Sequence, residues 1–166
     1  MIEIYDDRIT FISPGALLPG KQLDRLIGTD PVSRNEMLAD KFRRYRICEE
    51  RGTGFPKVVS AIELFGLPPV AFSASGTAFQ VTLYAPKSFS DMSLSDRIEA
   101  CCQHAVLQYI SSRALTNLSL RERFKASDRY RNQMTRLIAE AVSAGRIKRK
   151  EGSRSSRFAE YVPHWA

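Results

Sequence analysis

Apolar and polar positions alternate along the first twelve residues. Ile2 and Ile4 precede an acidic pair at positions 6 and 7, and Ile9 and Phe11 follow it. Alternation on both sides of a short polar turn is typical of a β-hairpin. A proline and a glycine at positions 14 and 15 end the second strand, so we expect a loop after it.

After this loop the apolar spacing becomes that of helices. Leu38, Phe42 and Tyr45 are separated by four and three residues, which predicts an amphipathic helix over residues 35–46. The other elements predicted in this half are a helix that starts at Pro56 and stops at Gly66, and a second hairpin with strands over residues 70–73 and 77–84. The order ββααββ predicts an α+β fold, with helices on one face of a sheet.

Residues 93–166 combine three helical segments with a basic hairpin. The first helix is expected over residues 96–112, with a buried face made of Ile98, Cys102, Ala105, Tyr109 and Ile110. A capping box from Ser119 to Glu122 predicts a short second helix that ends near Phe124. The third helix is expected over residues 128–144, with a buried face made of Tyr130, Met134, Leu137, Ile138 and Ala141. Residues 147–150 and 157–162 then form the two strands of the hairpin.

Between the two halves the chain loses its periodicity. Residues 85–91 contain turn-forming residues and no repeating apolar position, as a linker does. We therefore predict an α+β module over residues 1–86, a linker over residues 87–92 and a second domain over residues 93–166.

The positive charge of the chain is concentrated in the second domain. The net charge is +7, but residues 1–90 carry 11 basic against 10 acidic residues. Residues 121–157 carry 12 basic against 4 acidic residues, which is a net charge of +8. Such a segment attracts a polyanion and releases its condensed counterions. A solvated basic face is the alternative explanation of the charge alone.

The order of elements in residues 93–166 is that of a winged helix-turn-helix domain, which binds duplex DNA. In such a domain the third helix offers its exposed side chains to base edges, and arginine, asparagine and glutamine pair with purines. The second helix and the wing contact phosphates. The residues expected to contact DNA are Arg121 and Arg123 on the second helix, Arg129, Asn132, Gln133 and Arg136 on the third helix, and Lys148, Lys150, Arg154 and Arg157 on the wing.

Other functional classes find little support in the residues. Neighbouring Cys101 and Cys102, with Cys48 far away in sequence, fit neither a disulfide framework nor a zinc site. His104 and His164 have no metal-binding companions at ligand spacing, so we interpret both as packing residues, and Trp165 as a packing anchor. No apolar run approaches the roughly 18 residues of a membrane span, and the N-terminus does not have the pattern of a signal peptide. We expect a cytoplasmic protein without a membrane partner.

The first half also resembles a known family. The segments Ile2-Glu-Ile-Tyr-Asp-Asp-Arg-Ile-Thr-Phe-Ile-Ser-Pro-Gly15, Arg34-Asn35 with Leu38-Ala39, Glu50-Arg-Gly-Thr-Gly54 and Val81-Thr-Leu-Tyr84 occur in order. Together they resemble the C-terminal part of RecG-related ATP-dependent DNA helicases, which are also described as Schlafen AlbA-like transcriptional regulators. The resemblance covers about residues 2–86, and a winged helix commonly follows in that family.

The resemblance implies a degenerate nucleotide-binding module of the GHKL ATPase type. Residues 13–17 would stand at its adenine-binding box, and the glycine box near the phosphates would be Gly52-Thr53-Gly54. The resemblance therefore suggests Gly15, Gly52, Thr53 and Gly54 as cofactor-binding residues. Glycine-rich loops at helix N-termini can hold phosphate through backbone N–H groups.

Several features that a working ATPase needs are missing from the matching segments. Ser13-Pro14 stands where the family has an acidic residue, and Ala16 stands where a glycine is common. The helix that would supply a general base and a magnesium ligand would lie before Met1, and no Gly-x-x-x-x-Gly-Lys-Ser/Thr loop is present. We expect that this chain does not hydrolyse ATP, that it needs no cofactor, and that it is the C-terminal piece of a longer protein.

The sequence therefore predicts the DNA-binding part of a bacterial-type transcriptional regulator, with duplex DNA and a second copy of the chain as its candidate partners. Two alternatives stay open. One is a nucleotide-binding ATPase or helicase-associated module, with ATP as its ligand in the full-length family. The other is a winged helix that docks a protein.

Overall fold

A computed structural model describes residues 1–48, 52–153 and 159–166. Its strands are β1 (Ile2–Ile4), β2 (Arg8–Pro14), β3 (Ala71–Ala74), β4 (Ala78–Tyr84), β5 (Ile147–Arg149) and β6 (Tyr161–Pro163). Its helices are α1 (Glu36–Arg44), α2 (Gly54–Phe65), α3 (Leu94–Ile110), α4 (Asn117–Arg123) and α5 (Arg131–Ser143). Short 3₁₀ helices occupy Leu23–Gly28 and Asp128–Tyr130. The predicted α+β class is confirmed, and the 3₁₀ helix Leu23–Gly28 was not predicted.

The first half is built on an antiparallel sheet in the order β1-β2-β4-β3. Both predicted hairpins form, and the register places Phe11 opposite both Ile2 and Val81. Directly paired residues lie on the same face of a sheet. The face that carries Val81 packs against Val59 and Ile62 of α2, as the expected helix layer requires.

Local signals fix the helix ends. Asn35 caps α1 by accepting a hydrogen bond from the backbone N–H of Leu38 at 3.0 Å. Gly66 ends α2 in the left-handed conformation, with φ of 68°. The predicted start of α4 is wrong by three residues. Thr116 is the N-cap, and Ser119 is the last residue of a capping box (position N3) and not its first.

The second half contains α3, α4, α5 and the β5–β6 hairpin. Leu120 of α4 and Met134 of α5 are fully buried in one core together with Cys101 of α3. Leu115, just before α4, exchanges two backbone hydrogen bonds of 2.9 Å with Tyr161 and so forms an isolated β-bridge to the hairpin. The predicted buried face of α5 is confirmed at Met134, Leu137, Ile138 and Ala141.

Helix α3 is buried on more sides than an amphipathic helix at the protein surface. Cys102 and Ala105 pack in the core of the second half, whereas Val106 packs in the core of the first half. The predicted burial of Tyr109 and Ile110 is wrong, because both side chains are about 40% exposed (41% and 39%). A helix with two packing partners has no single buried stripe, so its period did not reveal which side chains are covered.

The two halves meet along α3. The side-chain amide of Gln103 donates to the carbonyl of Val70 at 2.7 Å. A Cβ on Gly28 would lie 3.2 Å from Ile110, so the 3₁₀ helix approaches α3 closely at a residue without a side chain. Trp165 packs edge-on against Tyr109 and also against the core of the first half, as expected for a packing anchor.

The three thiols should differ in reactivity. Burial raises the pKa of the Cys101 thiol and raises that of Cys102 to about 12, whereas Cys48 is exposed. Thiolates are the reactive form, so we expect a disulfide reagent to modify one thiol in the native protein and three after unfolding. Ionisation of Cys102 should also lower the stability as the pH rises from 9 to 12, because only the unfolded chain ionises there. Rapid modification of all three thiols in the native protein would contradict this placement.

Candidate functional site

Helix α5 presents a polar face to solvent. Arg129, Asn132, Gln133 and Arg136 are exposed and follow one another at spacings of three, one and three residues. They lie opposite the buried Met134, Leu137, Ile138 and Ala141. In the described part of the chain, no side chain bonds to Asn132, Gln133 or Arg136. The structure thus brings together the four side chains that were predicted to contact base edges.

The hairpin that follows α5 carries exposed cations. Lys148 and Lys150 are exposed on and directly after β5. The ammonium group of Lys150 lies 2.8 Å from Glu160 Oε2, and both side chains remain about half exposed. An exposed ion pair of this kind contributes little to stability, so Lys150 can exchange it for a phosphate. Arg154 and Arg157 lie outside the described residues, and their expected phosphate contacts remain predictions.

The two arginines of α4 are held inside the protein. Arg121 bonds to Asp128 and to Asn117, and its side chain is 14% exposed. It therefore joins α4 to the turn before α5. The expected phosphate contact of Arg121 does not fit this arrangement, because its guanidinium already has a carboxylate partner.

The prediction that Arg123 lies on a DNA-facing surface is wrong. Its side chain is buried, donates from Nη2 to the carbonyl of Leu67 at 2.8 Å and lies 3.9 Å from Glu63 Oε1. Both carboxylate oxygens of Glu63 also lie 3.0 Å from Nδ1 of the buried His104. Burial lowers the pKa of Arg123, and the charge of Glu63 acts in the opposite direction. Arg123 therefore connects α4 to α2, a long-range contact for which the residues around Arg123 carry no local signal.

The four residues suggested for cofactor binding come together in one cavity. Gly15, after β2, and Gly52, Thr53 and Gly54, before and at the start of α2, all line a cavity of about 690 Å³. That volume is within the usual range for small-molecule sites. Gly15 and Gly52 have φ of 98° and 64°, which favour glycine.

The remaining lining of this cavity was not predicted from the sequence. Its apolar wall includes Leu26, Phe55 and Phe79, and its cations are Lys21 and Arg34. Arg34 donates to the carbonyl of Ala16 at 2.6 Å, and Lys21 donates to the carbonyl of Asp30. An aromatic group with an anionic tail fits apolar walls combined with cations. Among the described residues, no three His, Cys, Asp or Glu side chains group as metal ligands.

A further finding bears on the expected compartment. None of the helices in residues 1–48, 52–153 and 159–166 combines the length and the apolar character needed to cross a membrane.

Comparisons with known proteins place the first half of the chain in a family. The family described as "Putative ATP-dependent DNA helicase recG C-terminal" matches residues 1–83, which are half of the chain and include all four glycine-loop residues. No curated protein and no solved structure matches significantly. The predicted RecG relationship is confirmed: the chain belongs to the family of the RecG-type ATP-dependent DNA helicase C-terminal region.

Proposed function

We propose that this chain binds duplex DNA through the exposed face of α5 and the β5–β6 hairpin, as the DNA-binding part of a transcriptional regulator. The observation that carries the proposal is the exposed polar face of α5, where no side chain in the described part of the chain bonds to Asn132, Gln133 or Arg136. Arg129, in the 3₁₀ helix just before α5, extends this face. Its residue types are those that read purine edges in the major groove.

The surrounding architecture supports this proposal. A short helix, a turn, a longer helix and a two-stranded sheet follow α3 in the order of a winged helix-turn-helix domain. Lys125 adopts φ of 51° in the turn between α4 and α5, where the chain reverses tightly. Because Arg121 and Arg123 are used inside the protein, the hairpin lysines and α5 supply the phosphate contacts.

The test compares two variants on two DNA duplexes by fluorescence anisotropy. One duplex has random sequence, and the other is enriched from a random library by the wild-type protein. Arg136→Ala should weaken binding to the enriched duplex about 5- to 150-fold and change binding to the random duplex much less, because it removes a base contact. Lys150→Ala should weaken both equally and lower the salt slope by about 1, because it removes a phosphate contact.

Lys87→Ala is the matched control, since Lys87 is exposed and lies outside the basic segment. It should leave both affinities unchanged. Equal effects of Arg136→Ala on both duplexes would exclude base reading by α5. A salt slope near zero for the wild-type protein would instead favour the alternative of a protein-docking winged helix.

The convergence of the glycine loops favours a second candidate function, the binding of an adenine nucleotide. The apolar walls would hold the base, and Lys21 and Arg34 would face the phosphates. Bound ATP would offer a phosphoanhydride for hydrolysis, but we propose that this module binds the nucleotide without hydrolysing it, because the matching segments contain no recognisable general base or magnesium ligand.

Millimolar ATP or ADP should then raise the melting temperature of the wild-type chain, because a ligand that binds the folded state stabilises it. Thr53→Trp should abolish the shift by filling the cavity mouth. The Thr53 side chain makes no capping hydrogen bond to α2, so its replacement should leave that helix intact. An unchanged melting temperature of the wild-type chain, or release of phosphate above the blank, would contradict this candidate.

A further inference from the structure

Among the described residues, nothing packs on half of the inner sheet face. Ile2, Ile4, Ile9 and Phe11 lie on the face that packs against α2, because the register pairs them with one another and with Leu83 and Val81. Helix α2 covers the β3–β4 side of that face. On the β1–β2 side, Ile2 is 63% and Ile4 is 77% exposed. We call these four side chains the open sheet face. Adjoining exposed apolar side chains of this kind mark an interaction surface.

The edge of the same sheet is also unpaired. Glu3 is the residue of β1 whose backbone groups point toward β2, because the bonded pairs alternate from Met1–Ile12 to Tyr5–Arg8. The N–H and C=O groups of Ile2 and Ile4 therefore point away from the sheet. β1 is an edge strand with both apolar side chains and free backbone groups.

Helix α1 also leaves apolar side chains exposed to solvent. Leu38, Phe42 and Tyr45 form an apolar stripe along it, yet no residue of α1 is buried. Tyr45 is 76% exposed, and Phe42 is 40% exposed. Amphipathic helices gain their stability by burying such a stripe against another element.

We propose that α1 of one copy packs its apolar stripe on the open sheet face of a second copy, and that the reciprocal contact closes a twofold dimer. The apolar stripe of α1 and the open sheet face are of similar length. The stripe from Leu38 to Tyr45 spans about 10 Å at 1.5 Å per residue. The two rows of the open sheet face are two residues apart, or about 7 Å along the strands.

The charges of the two surfaces are complementary. Residues 36–46 carry four basic and two acidic side chains, whereas residues 1–12 carry three acidic and one basic side chain. Asp6 and Asp7, in the β1–β2 turn, are exposed at the end of the open sheet face. Within one chain this attraction is not used, since α1 stays exposed, and pairing with a second copy satisfies both surfaces at once.

Sedimentation equilibrium from about 5 to 500 μM tests the proposal. The full chain should shift from 18.8 kDa toward twice that mass as the concentration rises. Ile4→Asp and Phe42→Asp should each keep the protein monomeric, because each removes both symmetry-related contacts. Leu64→Asp is the matched control at an exposed leucine of α2, and it should dimerise like the wild type. Circular dichroism verifies that each variant is folded.

Cross-linking tests whether α1 of a second copy lies on the open sheet face. In a Cys48→Ser background, Ile4→Cys and Tyr45→Cys proteins should form a covalent dimer with a short bismaleimide when mixed, and much less when each is treated alone. Cys101 and Cys102 are buried and do not interfere. A wild type that stays monomeric, a dimer that survives both aspartate substitutions, or a mixture of the two cysteine proteins that links no more than each protein alone would each overturn the proposal. None of these readouts depends on DNA or nucleotide binding.

Discussion

Glu63→Ala is expected to lower the free energy of unfolding by about 3–5 kcal/mol, the usual cost of removing one partner from a buried ion pair. Glu63 faces the buried Arg123 and His104, and its own side chain is only 14% exposed. Without its carboxylate, the Arg123 charge would remain buried with the carbonyl of Leu67 as its one hydrogen-bond partner within the described residues. Urea unfolding at neutral pH, analysed for both midpoint and slope, measures the change.

Glu122→Ala is the matched control, because Glu122 is an exposed glutamate in the neighbouring helix α4. Its effect should stay within about 0.5 kcal/mol. A second comparison tests the electrostatic cause. Replacing Glu63 by Leu and Arg123 by Met together removes both charges, and it should recover much of the loss. A Glu63→Ala effect as small as that of Glu122→Ala would show that α2 and α4 are not held together by this cluster.

Leu120→Ala is expected to cost about 2–5 kcal/mol, because it leaves a cavity in a close-packed core. Leu120 is fully buried on α4 and packs in the same core as Met134 of α5. Leu118→Ala, two residues earlier on the same helix, removes an equal volume at a position that is 56% exposed, and it should cost far less. Thermal unfolding of the two variants side by side measures the difference.

The same pair of variants tests how α5 is positioned. If the core of α4 and α5 orients the DNA-facing side chains, Leu120→Ala should also weaken DNA binding at temperatures where the protein remains folded. Leu118→Ala should not. Equal stability of the two variants would contradict the packing of α4 against α5.

The sequence was sufficient for elements that bury one face. The hairpins, α2 and the inward side chains of α5 were predicted correctly, since an element with one packing surface carries a regular period. Helix α1 was predicted from the same kind of period, although its apolar stripe stays exposed. The glycine loops were recognised through family resemblance. That Gly15 and Gly52 share one cavity could only be seen in three dimensions, since the two loops are far apart in sequence and meet where α2 packs on the sheet.

The sequence by itself determined the fold class, the family and the polar face of α5, because caps, periodicity and residue types are local properties of the chain. Only the tertiary structure decided the position of Arg123 and the burial of α3, since both depend on contacts between the two halves. An arginine near the end of a short helix has the same local signature whether it faces DNA or a glutamate 60 residues earlier. Which of the two it meets depends on how α2 and α4 pack, and no local pattern encodes that.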